Sequence, residues 1–162
     1  MQAMTSAIAQ KTPVQIKWPI EKVHEGAARA LANHLRAAQT VLAKYGPEIW
    51  DEYDRLVLKD KLEYYKSVGV KTPIDLVKAM AEFESNVFGS KIQIVGDDSK
   101  ASLTYDSCGI YNAMQKFGKL TPEQEEKIGS YFERCVSNLA REFGFKGEVK
   151  FEEPCAIVTF SK

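Results

Sequence analysis

From Ile20 to Tyr45 the apolar positions are Ile20, Val23, Ala27, Leu31, Leu35, Ala38 and Leu42, in steps of three and four that lay them along one helical face. Gly46-Pro47 then supplies a left-handed stop followed by a first-turn proline, and Ile49, Trp50, Tyr53, Leu56, Val57, Leu62 and Tyr65 continue as a second helix ending near Gly69. Thr72-Pro73-Ile74-Asp75 opens a third, because a hydroxyl caps free amides, proline fits the first position and a carboxylate suits the positive end of the helix. Leu76, Val77, Met80, Phe83 and Phe88 are its apolar residues.

The period then shortens to two. Lys91 to Val95 alternates as a strand, Gly96-Asp97-Asp98-Ser99 reads as a turn, and Ala101 to Tyr105 returns as a second strand. Asp106-Ser107-Cys108-Gly109 leads into a short amphipathic helix carrying Ile110, Met114 and Phe117, closed by Gly118. Thr121-Pro122-Glu123-Gln124 has the spacing of a capping box and starts a long helix through Cys135 to Phe143. Glu148 to Phe151 and Cys155 to Phe160 form the last strand pair, with Pro154 in the connection.

These elements predict an α+β fold: N-terminal helices, then two β-hairpins in one antiparallel sheet, separated by two helices, with the helices on one face. Residues 1–19 read as a polar arm and 20–162 as a single domain, since no repeat, low-complexity tract or linker interrupts them.

Composition narrows the partners. The chain has 162 residues, 44% hydrophobic and 27% charged, with 22 Lys plus Arg against 22 Asp plus Glu. A zero net charge without a basic stripe speaks against nucleic acid. No apolar run reaches the roughly 18 residues that a membrane span requires. Met1 to Pro13 has neither the basic start nor the apolar middle of a signal peptide, and three widely separated cysteines do not make a disulfide framework, so a reducing cytoplasm is expected. A small-molecule substrate or ligand is the expected partner, and a homo-oligomer is compatible with the sequence.

Cys108 is the leading chemical candidate. It follows a strand at the head of a helix, with Asp106 or Ser107 as cap, where free amides favour a thiolate, and Gly109 leaves room for a ligand beside the backbone. A small buried residue filling that junction is the plainer alternative. Cys135, beside Phe132, Val136 and Leu139, reads first as core packing. Cys155 opens the final strand on the face of Ile157 and Thr159. The intervals of 27 and 20 residues between these cysteines match no zinc-binding spacing, so a metal held by Cys108, Cys135 and Cys155 would have to be assembled by the fold, and the sequence itself requires no cofactor.

His24 and His34 lie ten residues apart on one predicted helix, too far to act side by side, but either could serve as a general base if folding brings it to the site. Glu82 and Glu84, two apart, cannot share a helix face. The run from Asp51 to Lys61, rich in Asp, Glu, Arg and Lys, reads as a solvated face. Trp50, Tyr53, Tyr64 and Tyr65 could line an apolar pocket or pack the core, and Tyr111, beside Gly109, joins Trp50, Tyr53 and Cys155 as a substrate-contacting candidate. No phosphate-binding glycine loop and no serine nucleophile elbow is present.

The order of Tyr45-Gly46-Pro47-Glu48-Ile49-Trp50, a strand delivering Cys108 to a helix, Cys135 on the next helix and Cys155 in the terminal strand resembles the L-2-amino-thiazoline-4-carboxylic acid hydrolase-like family. The resemblance runs from about Ile20 onward and rests on spacing. It implies hydrolysis of a C–N or C–S bond in a small cyclic or thio-containing substrate, with Cys108, Cys135 and Cys155 in the site. On that reading Cys108 is the thiolate nucleophile and His24, His34 or Asp106 relays the proton. The alternative is a non-enzymatic module that holds a small ligand or a metal through the three cysteines and an aromatic pocket.

Overall fold

Residues 17–153 and 155–162 are described by a computed structural model. The helices α1 (Ile20–Leu42), α2 (Pro47–Ser67) and α3 (Pro73–Phe88) come first. The hairpin β1 (Lys91–Gly96) and β2 (Lys100–Ser107) follows, then α4 (Gly109–Lys116), α5 (Pro122–Glu142), and the hairpin β3 (Lys146–Glu152) and β4 (Cys155–Ser161). The fold is α+β, with one four-stranded antiparallel sheet in the order β1-β2-β4-β3. Residues 1–16 of the expected arm and Pro154 lie outside the described residues.

Local chemistry sets the helix starts. Thr72 accepts from the Asp75 amide and Asp75 accepts from the Thr72 amide at 3.0 Å, and Thr121 and Gln124 repeat the reciprocal cap on α5. Each cap satisfies two amides that the helix itself leaves free. The strands run longer than their apolar alternation suggests, because ladder hydrogen bonds also recruit the polar ends Lys100, Ser107, Lys146 and Ser161. The first helix is shorter than expected: it stops at Leu42, and Ala43 to Gly46 turn toward α2.

Alternation in the two central strands points Ala101, Leu103 and Tyr105, with Ala156, Val158 and Phe160, to one face, all buried. Leu76, Val77 and Met80 of α3 and Val136, Leu139 and Ala140 of α5 meet them there in the main core. Ser102 and Thr159 lie on the opposite face and share a hydrogen bond of 2.8 Å across β2 and β4. A second, smaller cluster joins α1 to α4 through Ala28, Ala32, Ala113 and Met114. The alanines at those contacts bring the two helices close, so α4 packs on α1 and also touches α3.

Candidate functional site

Cys108 is itself the N-cap of α4, with extended backbone, so Asp106 and Ser107 are not the caps. The reason is register: Asp106 still belongs to β2 and its carboxylate accepts from Gln93 Nε2 on β1 at 2.8 Å. The position of α4 is fixed by the next residue. A Cβ on Gly109 would lie 2.0 Å from the Phe88 carbonyl oxygen, so only glycine lets the start of α4 close on the end of α3. At that junction the Gly109 amide donates to Ser90 Oγ at 3.0 Å, and the Ser90 hydroxyl donates to Glu84 Oε2 at 3.3 Å. Ser90 is buried, and Glu84, half-buried on α3, meets it there.

Burial pushes the Glu84 carboxyl above the usual carboxylate range, opposed by Lys61 and by Ser90. Burial also pushes the Cys108 thiol up, to about 11. The first amides of α4, at Tyr111 and Ile110, pull the other way, while Glu84 and Cys155 add to the rise. The expected helix-end effect is therefore present but outweighed by desolvation, and at neutral pH Cys108 is a thiol rather than a thiolate. Tyr65 and Tyr105, both buried near Glu84, are raised for the same first reason.

The remaining candidate residues are scattered over the fold. Cys155 lies beside Cys108 at the end of the sheet, its thiol raised by burial. Tyr111 points toward α5: its hydroxyl donates to Glu125 Oε1 at 3.3 Å and accepts from Gln115 Nε2 at 2.8 Å. His24 packs against Gly89, its Nδ1 2.9 Å from where a Cβ would stand, one residue from Ser90. His34 is exposed elsewhere on α1.

Cys135, Trp50 and Tyr53 belong to the contact between α2 and α5. Trp50 meets Tyr53 and Tyr131 with centroids 6.4 and 6.5 Å away, and the Arg134 guanidinium lies 5.8 Å over the Trp50 ring. Cys135 is raised by burial, with Tyr131 hydrogen-bonded to it lowering it again. Among the described residues no group of three His, Cys, Asp or Glu side chains is arranged to hold a metal ion.

Sequence reasoning did not anticipate Glu84, Ser90 or Asp54. Asp54 stands in the charged run expected to face solvent, yet it is only 9% exposed and lies 2.7 Å from Arg134 Nε. Neither of its oxygens has a partner in hydrogen-bonding geometry among the described residues. Burial raises its carboxyl and Arg134 opposes the rise. The missed signal is helical period. Asp54 follows Trp50 by four positions and Glu84 follows Met80 by four, which places each carboxylate on an inward face.

Concave surfaces lie away from Cys108 among the described residues. One, of about 370 Å³, runs between α2 and α3 and is lined by Tyr64, Val68, Ala79, Phe83 and Val87 together with Glu82 and Asn86. Tyr64 and Phe83 meet edge to face in it, 5.3 Å apart. Another, of about 490 Å³, follows β3. No protein-family model matches the chain, and no curated protein matches it. Among the described residues no helix is long and apolar enough to cross a membrane.

Proposed function

We propose that this chain is a small-ligand-binding module whose site is the groove between α2 and α3. The observation that supports it is the concave, partly exposed aromatic surface of Tyr64 and Phe83 with Val68 and Val87. Its volume of about 370 Å³ suits a small molecule with one or two rings. Tyr64, Val68, Phe83 and Val87 supply apolar contact in this open surface, and the Glu82 carboxylate and Asn86 amide in its lining can orient a polar substituent. The test is titration with the neutral fluorophore N-phenyl-1-naphthylamine. Saturable binding that Val68→Trp blocks by filling the groove, and that Phe83→Ala weakens several-fold, is expected; no saturable binding to the wild-type chain overturns the reading.

A second reading, hydrolysis of a C–N or C–S bond at Cys108, is favoured by one observation: the carboxyl of Glu84 lies near both Cys108 and, through Ser90, the first amide of α4. In that reaction the thiol proton passes to the Glu84 carboxylate as sulfur bonds to the electrophilic ring carbon. Glu84 then returns the proton to the leaving nitrogen or sulfur, and water displaces the enzyme thiol. Because Cys108 rests as a thiol, Glu84 would have to take its proton during the reaction rather than before it. Turnover of a thiazoline panel that disappears in Cys108→Ser and falls in Glu84→Gln is expected on this reading. Absence of turnover, or turnover unchanged in Cys108→Ser, removes it.

A further inference from the structure

The two edges of the sheet are built differently. β1 carries an irregularity between Lys91 and Ile92, a common device for spoiling an exposed edge. The other edge, β3, pairs with β4 in unbroken register from Lys146 to Glu152 and, among the described residues, presents a continuous free side. A concave surface follows it, bounded by Glu133 and Ser137 of α5 and by Glu148, Lys150, Ile157 and Thr159.

Along β3 the sequence is Lys146-Gly147-Glu148-Val149-Lys150-Phe151-Glu152. On the solvent face the charges alternate Lys, Glu, Lys, Glu, and within one chain Lys146 pairs with Glu148 at 2.6 Å and Lys150 with Glu152. On the helix face Phe151 is 51% exposed although it rests against Gly129, and Gly147 has no side chain because Val136 and Ala140 of α5 close on its backbone.

We infer that β3 is a docking edge for a second copy of this chain, joined antiparallel about a two-fold axis at Val149. Directly opposed residues of an antiparallel pair share a face, so the axis must fall on a residue rather than between two. With the axis at Val149, Lys146 faces the second copy's Glu152 and Glu148 faces its Lys150, so all four charges of each strand meet opposites. With the axis at Glu148 or Lys150, like charges oppose each other at every overlapping position. With it at Gly147 or Phe151, only one Lys–Glu combination remains. The free amides and carbonyls of the two edges complete a continuous sheet of eight strands.

Sedimentation equilibrium over a concentration series, on the full chain, reads this out. A reversible dimer is expected. Glu148→Lys opposes two lysines twice across the axis and should weaken association by about tenfold or more. The double variant Glu148→Lys with Lys150→Glu should restore it, because every cross-axis pair is again opposite in sign while the alternation within each strand is lost. Val149→Cys should cross-link to itself through a short bifunctional maleimide, giving a dimer band absent from wild type. A wild-type chain that stays monomeric and a Val149→Cys variant that does not cross-link overturn the inference. So does a dimer indifferent to both charge variants.

Discussion

The carbonyl oxygen of Phe88 occupies the space that any side chain at Gly109 would need, 2.0 Å from the position of a Cβ. The contact is backbone to backbone, so no rotamer change relieves it. Gly109→Ala must push α4 away from α3 and break the bond from the Gly109 amide to Ser90. We expect a loss of about 3 kcal/mol or more in chemical denaturation. Gly26→Ala is the control: it lies inside α1 with its nearest neighbour, Trp18, at 3.7 Å, and should gain about 1 kcal/mol from helix propensity.

Cys108 reactivity follows from its raised pKa of about 11. At pH 7 roughly one thiol in ten thousand is ionised, and alkylation by iodoacetamide should rise close to tenfold per pH unit until the pKa is approached. Mass spectrometry of tryptic peptides should find Cys155, less deeply enclosed at the same end of the sheet, modified first. Rapid alkylation of Cys108 at neutral pH would show a thiolate there and restore the conditions for nucleophilic attack.

Much of this arrangement was legible in the chain. Thr72 with Asp75 and Thr121 with Gln124 announce their helices because a cap is local: all its partners lie within four residues. The alternation of Ala156, Val158 and Phe160 against Cys155, Ile157 and Thr159 likewise separates the two faces of β4, the first of which is buried. The surroundings of Cys108 were not legible. Its helix-end position favours the thiolate, but the opposing effect comes from burial and from Glu84, which lies 24 positions earlier in the chain. The bond from Gly109 to Ser90 spans 19 positions. Such pairings are products of the sheet closing over α3 and leave no spacing rule behind.

Glu84 gives the site its own pH dependence. Its carboxyl is raised above the ordinary 4.5 by burial, so between 4.5 and the raised value the folded chain binds more protons than the unfolded chain. Stability from this group is complete below the unfolded pKa and is lost as pH rises through the folded one. Glu84→Gln, which keeps an acceptor for Ser90 without the charge, should therefore flatten that decline and raise the melting temperature above wild type at neutral pH. Thermal denaturation from pH 4 to 8 measures it; a melting-temperature profile identical to wild type would mean the carboxyl is solvated after all.

The contact between α2 and α5 offers a separate balance, because its charges sit among rings. Asp54 is buried and Arg134 is half exposed over Trp50 and Tyr131, so the pair is asymmetric: removing the arginine strands a desolvated carboxylate, whereas removing the aspartate frees an arginine that can turn to water. Arg134→Met should cost about 2 kcal/mol, reduced from the value for a fully buried pair because Arg134 reaches solvent. Asp54→Leu should cost less, since it also removes a desolvated carboxylate. The double variant should be more stable than Arg134→Met alone, a sign of coupling that urea denaturation of the four proteins reads directly. Simple additivity would instead mean that the carboxylate gains nothing from its guanidinium, and that aromatic packing of Trp50, Tyr53 and Tyr131 alone fastens α2 to α5.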